Sequence, residues 1–158
     1  MDYKINFKEP IPQMIERLKQ EHIEFELTFK KTDKYIDENE IKEAIKIIHN
    51  MSELIIKHAV EEEARIMRVM MQKAKEESAD SIKIMQEHNW VVDFLKHKLQ
   101  NIEKETQQQY PQQQQQLQLQ QKVKNEINEF ITNLRNHFSE EEQILFPLAL
   151  KAYFKLTE

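Results

Sequence analysis

Apolar residues recur along this chain at spacings of three and four, the period of helices that each bury one face. From Pro12, which suits a first helical turn, Ile15, Leu18, His22, Phe25 and Phe29 mark one such face. The polar stretch Lys30 to Asn39 breaks the pattern and predicts a boundary, with Asp37 or Asn39 as N-cap of the next helix. A longer stripe follows: Ile41, Ala44, Ile48, Met51, Ile55, His58, Glu62, Ile66 and Val69. The run Glu76 to Ser81 is the next break, with Ser78 or Asp80 as caps. A third stripe is Met85, His88, Val92, Leu95, Leu99 and Ile102. The fourth is Leu119, Val123, Ile127, Phe130, Leu134, His137, Glu141 and then Ile144 or Leu145, with Pro147 predicting its end.

Four amphipathic helices with short connections predict an all-α fold, an up-down-up-down antiparallel four-helix bundle. The sustained repeat favours near-parallel packing over a globin-like arrangement. The bundle should occupy about residues 12–150 of one domain spanning residues 1–158. Between the third and fourth helices, residues 107–121 hold eleven glutamines in fifteen positions. Glutamine is a fair helix former, so this segment reads either as helix continuing around Pro111 or as a solvated arm. Functionally it reads as a tolerated insertion at a loop tip.

Composition removes many alternatives. The chain has 158 residues with neither cysteine nor glycine. Disulfides, cysteine-ligated zinc, iron–sulfur clusters and thiol nucleophiles are excluded. Phosphate-cradling loops and nucleophile elbows are excluded too, because they need glycine's backbone freedom. Net charge is −5, with 23 basic and 28 acidic residues interspersed, not the cationic stripe of a nucleic-acid binder. The N-terminal residues lack the apolar segment of a signal peptide, and the longest apolar run, Ile144 to Leu150, is far too short to span a membrane. The expectation is a soluble cytoplasmic protein that engages neither nucleic acid nor membrane.

The chemistry lies inside the stripes. His22, His58, Glu62, His88, His137 and Glu141 occupy positions that the surrounding Leu, Ile, Val and Phe mark as buried. Every helix contributes one histidine, and two add a glutamate at i+4, on the same face. Burying unpaired carboxylates costs several kcal/mol each, so a positive charge is expected between them. Counted from the predicted helix ends at 1.5 Å per residue, all six fall near one level of an up-down bundle. Four imidazoles and two carboxylates exceed what one tetrahedral zinc needs. Two metals fit: two histidines to each, Glu62 and Glu141 bridging, a solvent-derived oxo or hydroxo bridge, and one position left open on each ion. This sulfur-free donor set suits iron, with manganese and zinc as chemical competitors. The Glu-x-x-His pattern of ferritin-like carboxylate proteins is absent, since Lys19, Lys46, Ile55, Met85, Phe94 and Leu134 stand three residues before the six histidines. HExxH is absent as well.

The order His, His-x-x-x-Glu, His, His-x-x-x-Glu resembles the hemerythrin-like (HHE) cation-binding domain. His58-Ala59-Val60-Glu61-Glu62 and His137-Phe138-Ser139-Glu140-Glu141-Glu142-Gln143-Ile144-Leu145-Phe146-Pro147 carry the resemblance most closely, with Gln20-Glu21-His22 and Gln86-Glu87-His88-Asn89 for the lone-histidine helices. It implies a hemerythrin-like fold and a non-heme di-iron site with these six ligands, bridged by Glu62 and Glu141. Oxygen-carrying hemerythrins have a second histidine where this chain has Val92, and a final aspartate where it has Glu142. The resemblance therefore favours the broader group, associated with binding or sensing of O₂ or NO, peroxide handling, and iron delivery to damaged iron–sulfur centres. The expected function is binding of a small diatomic or peroxide ligand. A di-iron enzyme (peroxidase, NO reductase or iron–sulfur repair protein) and an iron-responsive interaction module are the alternatives.

The remaining polar candidates read as bystanders. His49 and His97 flank the stripes. Glu26, at i+4 from His22, mimics the ligand spacing, but its neighbour Phe25 takes the stripe. Trp90 and the Met67, Met70, Met71 group read as packing. Glu61, Glu63, Glu140 and Glu142 read as solvated faces able to hold ligand N–H groups.

Overall fold

The computed structural model describes residues 3–73, 78–108 and 110–157. Four helical rods make an all-α bundle, with no strand among the described residues. Helix α1 is Ile11–Asp37. Helix α2 (41–73) joins Ile41–Glu61, a π-helical turn Glu62–Met67 and Arg68–Lys73. Helix α3 (78–107) joins Ser78–Asp93, a π turn Phe94–Lys98 and Leu99–Gln107. Helix α4 (113–157) joins Gln113–Glu140, a π turn Glu141–Leu145 and Phe146–Thr157. Each rod packs against the next in sequence, and α4 closes the bundle against α1.

Several boundaries differ from the sequence expectation. Helix α1 does not stop near Lys30 but continues to Asp37, because Thr32 and Ile36 extend its buried face. The Thr32 hydroxyl is satisfied by donating to the Thr28 carbonyl at 3.0 Å. Neither Asp37 nor Asn39 caps α2: Asp37 ends α1, and the residue before α2 is Glu40, whose side chain makes no capping bond. Asn39 instead takes φ 59°, the left-handed conformation that closes a helix C-terminus. Glycine usually fills such a place, and in a glycine-free chain asparagine is the next best tolerated. The Glu40 N–H then donates to the Tyr35 carbonyl at 2.7 Å. Glu76 and Glu77 of the expected second break, and the side chains of Ser78 and Asp80, lie outside the described residues.

Pro147 does not end the last helix. It is the second residue of the segment after the π turn, where the hydrogen-bond register changes. Glutamines 113–121 form the first turns of α4, mostly exposed, so helix continues through most of that run.

A π turn carries one extra residue per turn and slides the stripe that follows it. After Glu62 the buried residues are Ile66, Met67 and Met70, with Val69 at the edge. After Glu141 it is Leu145, not Ile144, that is buried. On α3 the stripe is Ile84, His88, Val91, Phe94 and Leu95, with Met85 and Val92 partly buried beside it. The result is two separate apolar layers. The larger includes Phe25, Phe29, Ile48, Ile55, Phe94, Phe130 and Phe138. The smaller includes Met14, Leu18, Ile66, Met70, Ile84 and Phe146.

Candidate metal centre

The buried polar residues His22, His58, Glu62, His88, His137 and Glu141 gather between these two layers. All six are at most 6% exposed, and both carboxylates are fully sealed. His22 comes from α1, His58 and Glu62 from α2, His88 from α3, and His137 and Glu141 from α4. Glu62 and Glu141 are each the first residue of a π turn, so the helix widens at the carboxylate itself.

The donor atoms converge closely. His22 Nε2 lies 3.1 Å from His58 Nε2 and 3.2 Å from Glu141 Oε1. His58 Nε2 is 2.6 Å from Glu62 Oε1. Across the layer, His88 Nε2 is 3.6 Å from Glu141 Oε2 and 4.0 Å from Glu62 Oε2, and His137 Nε2 is 3.5 Å from Glu141 Oε1. Two overlapping donor sets result: His22, His58, Glu62 and Glu141 in one, His88, His137 and Glu141 in the other, each with its atoms within 4.8 Å of one another. Both carboxylates face histidines of both sets.

The layer is not satisfied by its own atoms. Among the described residues, the buried side-chain atoms lacking a hydrogen-bond partner are both oxygens of Glu62, both oxygens of Glu141, His22 Nδ1 and His88 Nε2. All of them belong to this cluster. Charges distribute accordingly. Burial pulls the His58 imidazole down, but the Glu62 carboxylate and a hydrogen bond with Glu21 outweigh it and raise its pKa to about 9. Burial would raise Glu62, yet the His58 charge holds it down at about 2. Burial and the adjacent His58 lower His22 to about 4, and burial and His88 lower His137 to about 3. One internal ion pair and the neutral imidazoles of His22 and His137 result, and neutral nitrogen and ionised oxygen are what a divalent cation requires. Orphaned oxygens aimed into a shared space among four imidazoles fit bound metal cations.

Behind the imidazoles stands a ring of outer carboxylates. Glu21 Oε1 is 3.1 Å from His58 Nδ1, Glu63 Oε1 is 3.3 Å from His88 Nδ1, and Glu87 Oε2 is 2.6 Å from His137 Nδ1. The fourth, Glu142 Oε1, stops 3.8 Å from His22 Nδ1. Each outer glutamate is the chain neighbour of an inward residue, one before it on α1 and α3, one after it on α2 and α4. A one-residue step turns about 100° around a helix, which carries the side chain from the core to the seam with the next rod. The alternation of before and after follows from the antiparallel topology, because reversing a helix reverses the sense of that turn. Glu21, Glu63 and Glu87 thus back the histidine of the next helix around the bundle, and Glu142 faces His22 without reaching hydrogen-bond distance. Glu21 and Glu87 were missed as candidates; the only trace in the sequence is the Glu-His dipeptide each one opens.

Other candidates fall elsewhere. Glu26 pairs with Arg135 at 2.8 and 3.0 Å, outside the cluster. His49 is exposed and meets Glu103 at 2.8 Å, and His97 is exposed on α3. Glu61 is no solvated face: it is buried and ion-paired with Arg17, which also holds Glu21 at 2.6 Å. Trp90 is part-exposed and packs its ring near Phe130. Met67 and Met70 are core, whereas Met71 is exposed.

The hemerythrin HHE cation-binding domain model matches residues 13–149 of this chain. The chain belongs to that family. No curated protein and no solved structure matched it. An HHE cation-binding domain implies bound metal, with iron the metal its donor set suits, and the nitrogen- and oxygen-lined cluster of this HHE chain fits that requirement. No helix among the described residues is long and apolar enough to cross a membrane.

Proposed function

We propose that this HHE domain is a non-heme di-iron protein that binds a small ligand, O₂, NO or peroxide, for binding, sensing or stress response in the cytoplasm. His22 and His58 would hold one iron, His88 and His137 the other, and Glu62 and Glu141 would bridge the two. The observation that carries this reading is the set of four carboxylate oxygens sealed from water without a hydrogen-bond partner among four imidazoles. Sealed anions of this kind are tolerable only beside compensating positive charge. When bound, the iron pair supplies a redox-active centre with coordination positions not taken by the protein.

The chain's own groups do the rest. With metal bound, His58, His88 and His137 would offer lone pairs inward while Glu21, Glu63 and Glu87 accept from the opposite ring nitrogen, which fixes the tautomer. Apolar layers on both sides keep bulk water away. Val92, partly buried against the larger layer, brings no donor to the centre. Interspersed surface charge gives no support for a nucleic-acid partner.

Metal analysis with absorption spectra tests the reading. The purified chain should carry two irons, and its spectrum should change on exposure to at least one of O₂, NO and peroxide. His58→Ala, His137→Ala and Glu62→Ala should each lower iron well below two per chain. Full retention in all three variants overturns the assignment.

A further inference from the structure

The four imidazoles are not held alike. Nδ1 of His58, His88 and His137 each meets a glutamate within 3.3 Å, whereas His22 Nδ1 is buried without a hydrogen-bond partner. The His22 ring is kept in place by stacking instead. It lies 4.2 Å from the Phe138 ring at 20° between planes, and 5.8 Å from Phe146 at 16°. Stacking limits tilt but accepts no proton, so no outer acceptor holds His22 from its Nδ1 side.

His22 also stands at an opening. A cavity of about 420 Å³ between α1 and α4 is lined by His22, Leu27, Arg135, Phe138, Ser139 and Glu142. A second, of about 330 Å³ between α3 and α4, reaches His137. There Glu87 at 2.6 Å tethers the imidazole. Both openings reach a candidate ligand, but at only one of them is that ligand untethered.

We propose that His22 is the releasable imidazole of the centre, and that the metal it shares with His58 exchanges through the opening between α1 and α4. The metal between His88 and His137 stays, held by two carboxylate-backed imidazoles. Such outer hydrogen bonds change metal affinity by about 10- to 100-fold, which sets the size of the difference. The inference rests on the di-iron reading above.

Release kinetics test it. The chain is loaded anaerobically with two ferrous ions and mixed with excess ferrozine, a ferrous chelator, so that iron leaves without change of oxidation state. Two phases of one iron each are expected, separated by about 10- to 100-fold in rate. Glu87→Gln should bring the slow phase toward the fast one, and Glu87→Asp, which keeps the carboxylate, should retain more of the separation. Phe138→Ala should hasten the fast phase. Glu142→Gln should leave the two phases separate, because its carboxylate, 3.8 Å from His22 Nδ1, makes no hydrogen bond to it. An unaltered melting curve of metal-free Glu87→Gln separates loss of the tether from general loosening, which would release both irons together. Two irons leaving at a single rate, or Glu142→Gln acting as strongly as Glu87→Gln, overturns the inference alone. A chain that never takes up two ferrous ions overturns the di-iron reading and this inference with it.

Discussion

Phe130 and Glu62 are equally sealed from water, yet their layers stand in opposite condition. Phe130 stacks on Phe94 with ring centroids 4.0 Å apart, inside an apolar layer contributed by all four helices. Glu62 sits in a layer built by the same four helices, with Oε1 2.6 Å from the His58 imidazole and Oε2 without a hydrogen-bond partner. The apolar layer is complete in itself. The polar layer gathers two carboxylates of which the His58 charge compensates Glu62, and the remaining cost is one an added cation offsets. Burial therefore measures nothing about self-sufficiency; the partners of the buried atoms do.

The contrast can be broken from either side. Phe130→Ala should cost about 3–5 kcal/mol by removing a fully buried ring, and cost it equally in metal-loaded and metal-free protein, as denaturant titration of both forms would read. Stripping the metal should come next. Free ferrous ion at a hundred times its dissociation constant adds about 2.7 kcal/mol per site, so chelation should lower the thermal midpoint of the wild type visibly. Glu141→Leu should reverse the pattern of Phe130→Ala: iron is lost, while the metal-free protein stays as stable or gains about 1–4 kcal/mol, since a buried anion gives way to an apolar side chain.

Acidity sharpens the same comparison. His22 and His137 are neutral in the folded metal-free chain, with pKa values lowered to about 4 and 3. Unfolded, they titrate near 6.5, so the unfolded state binds more protons below that pH. Their contribution is whole above about 6.5 and is lost as pH falls through 4 and 3. His58, raised to about 9, works in the other direction: its contribution is whole below about 6.5 and is lost as pH rises through 9. Metal-free protein should show a stability maximum near neutrality in pH-resolved melting, and Phe130→Ala should lower that curve without moving its maximum. The smallest effect is expected at the surface, where Glu26→Gln should cost about 0.2–1 kcal/mol through the Arg135 pair and leave iron content unchanged.

Much of this was legible along the chain. Stripes at three and four spacings gave the four rods, and the absence of glycine and cysteine cleared away competing chemistries. His22, His58, Glu62, His88, His137 and Glu141 stood out because ionisable groups occupied core positions, and the rods bring those six together in one layer. Boundaries were less legible. Lys30 and Pro147 looked like ends, but Thr32 and Ile36 continued one buried face and a π turn absorbed the proline.

The period of the apolar residues is local information, carried by neighbours one turn apart, and it determined the fold class and which side chains face inward. Pairing between rods is not local. That Glu21 backs His58 while Glu142 falls short of His22, that Glu61 turns to Arg17 rather than to water, and that π turns shift Met70 and Leu145 into the core were decided by packing. Fractions of an ångström between residues tens of positions apart separate a tethered imidazole from a free one, and only the assembled bundle sets such distances.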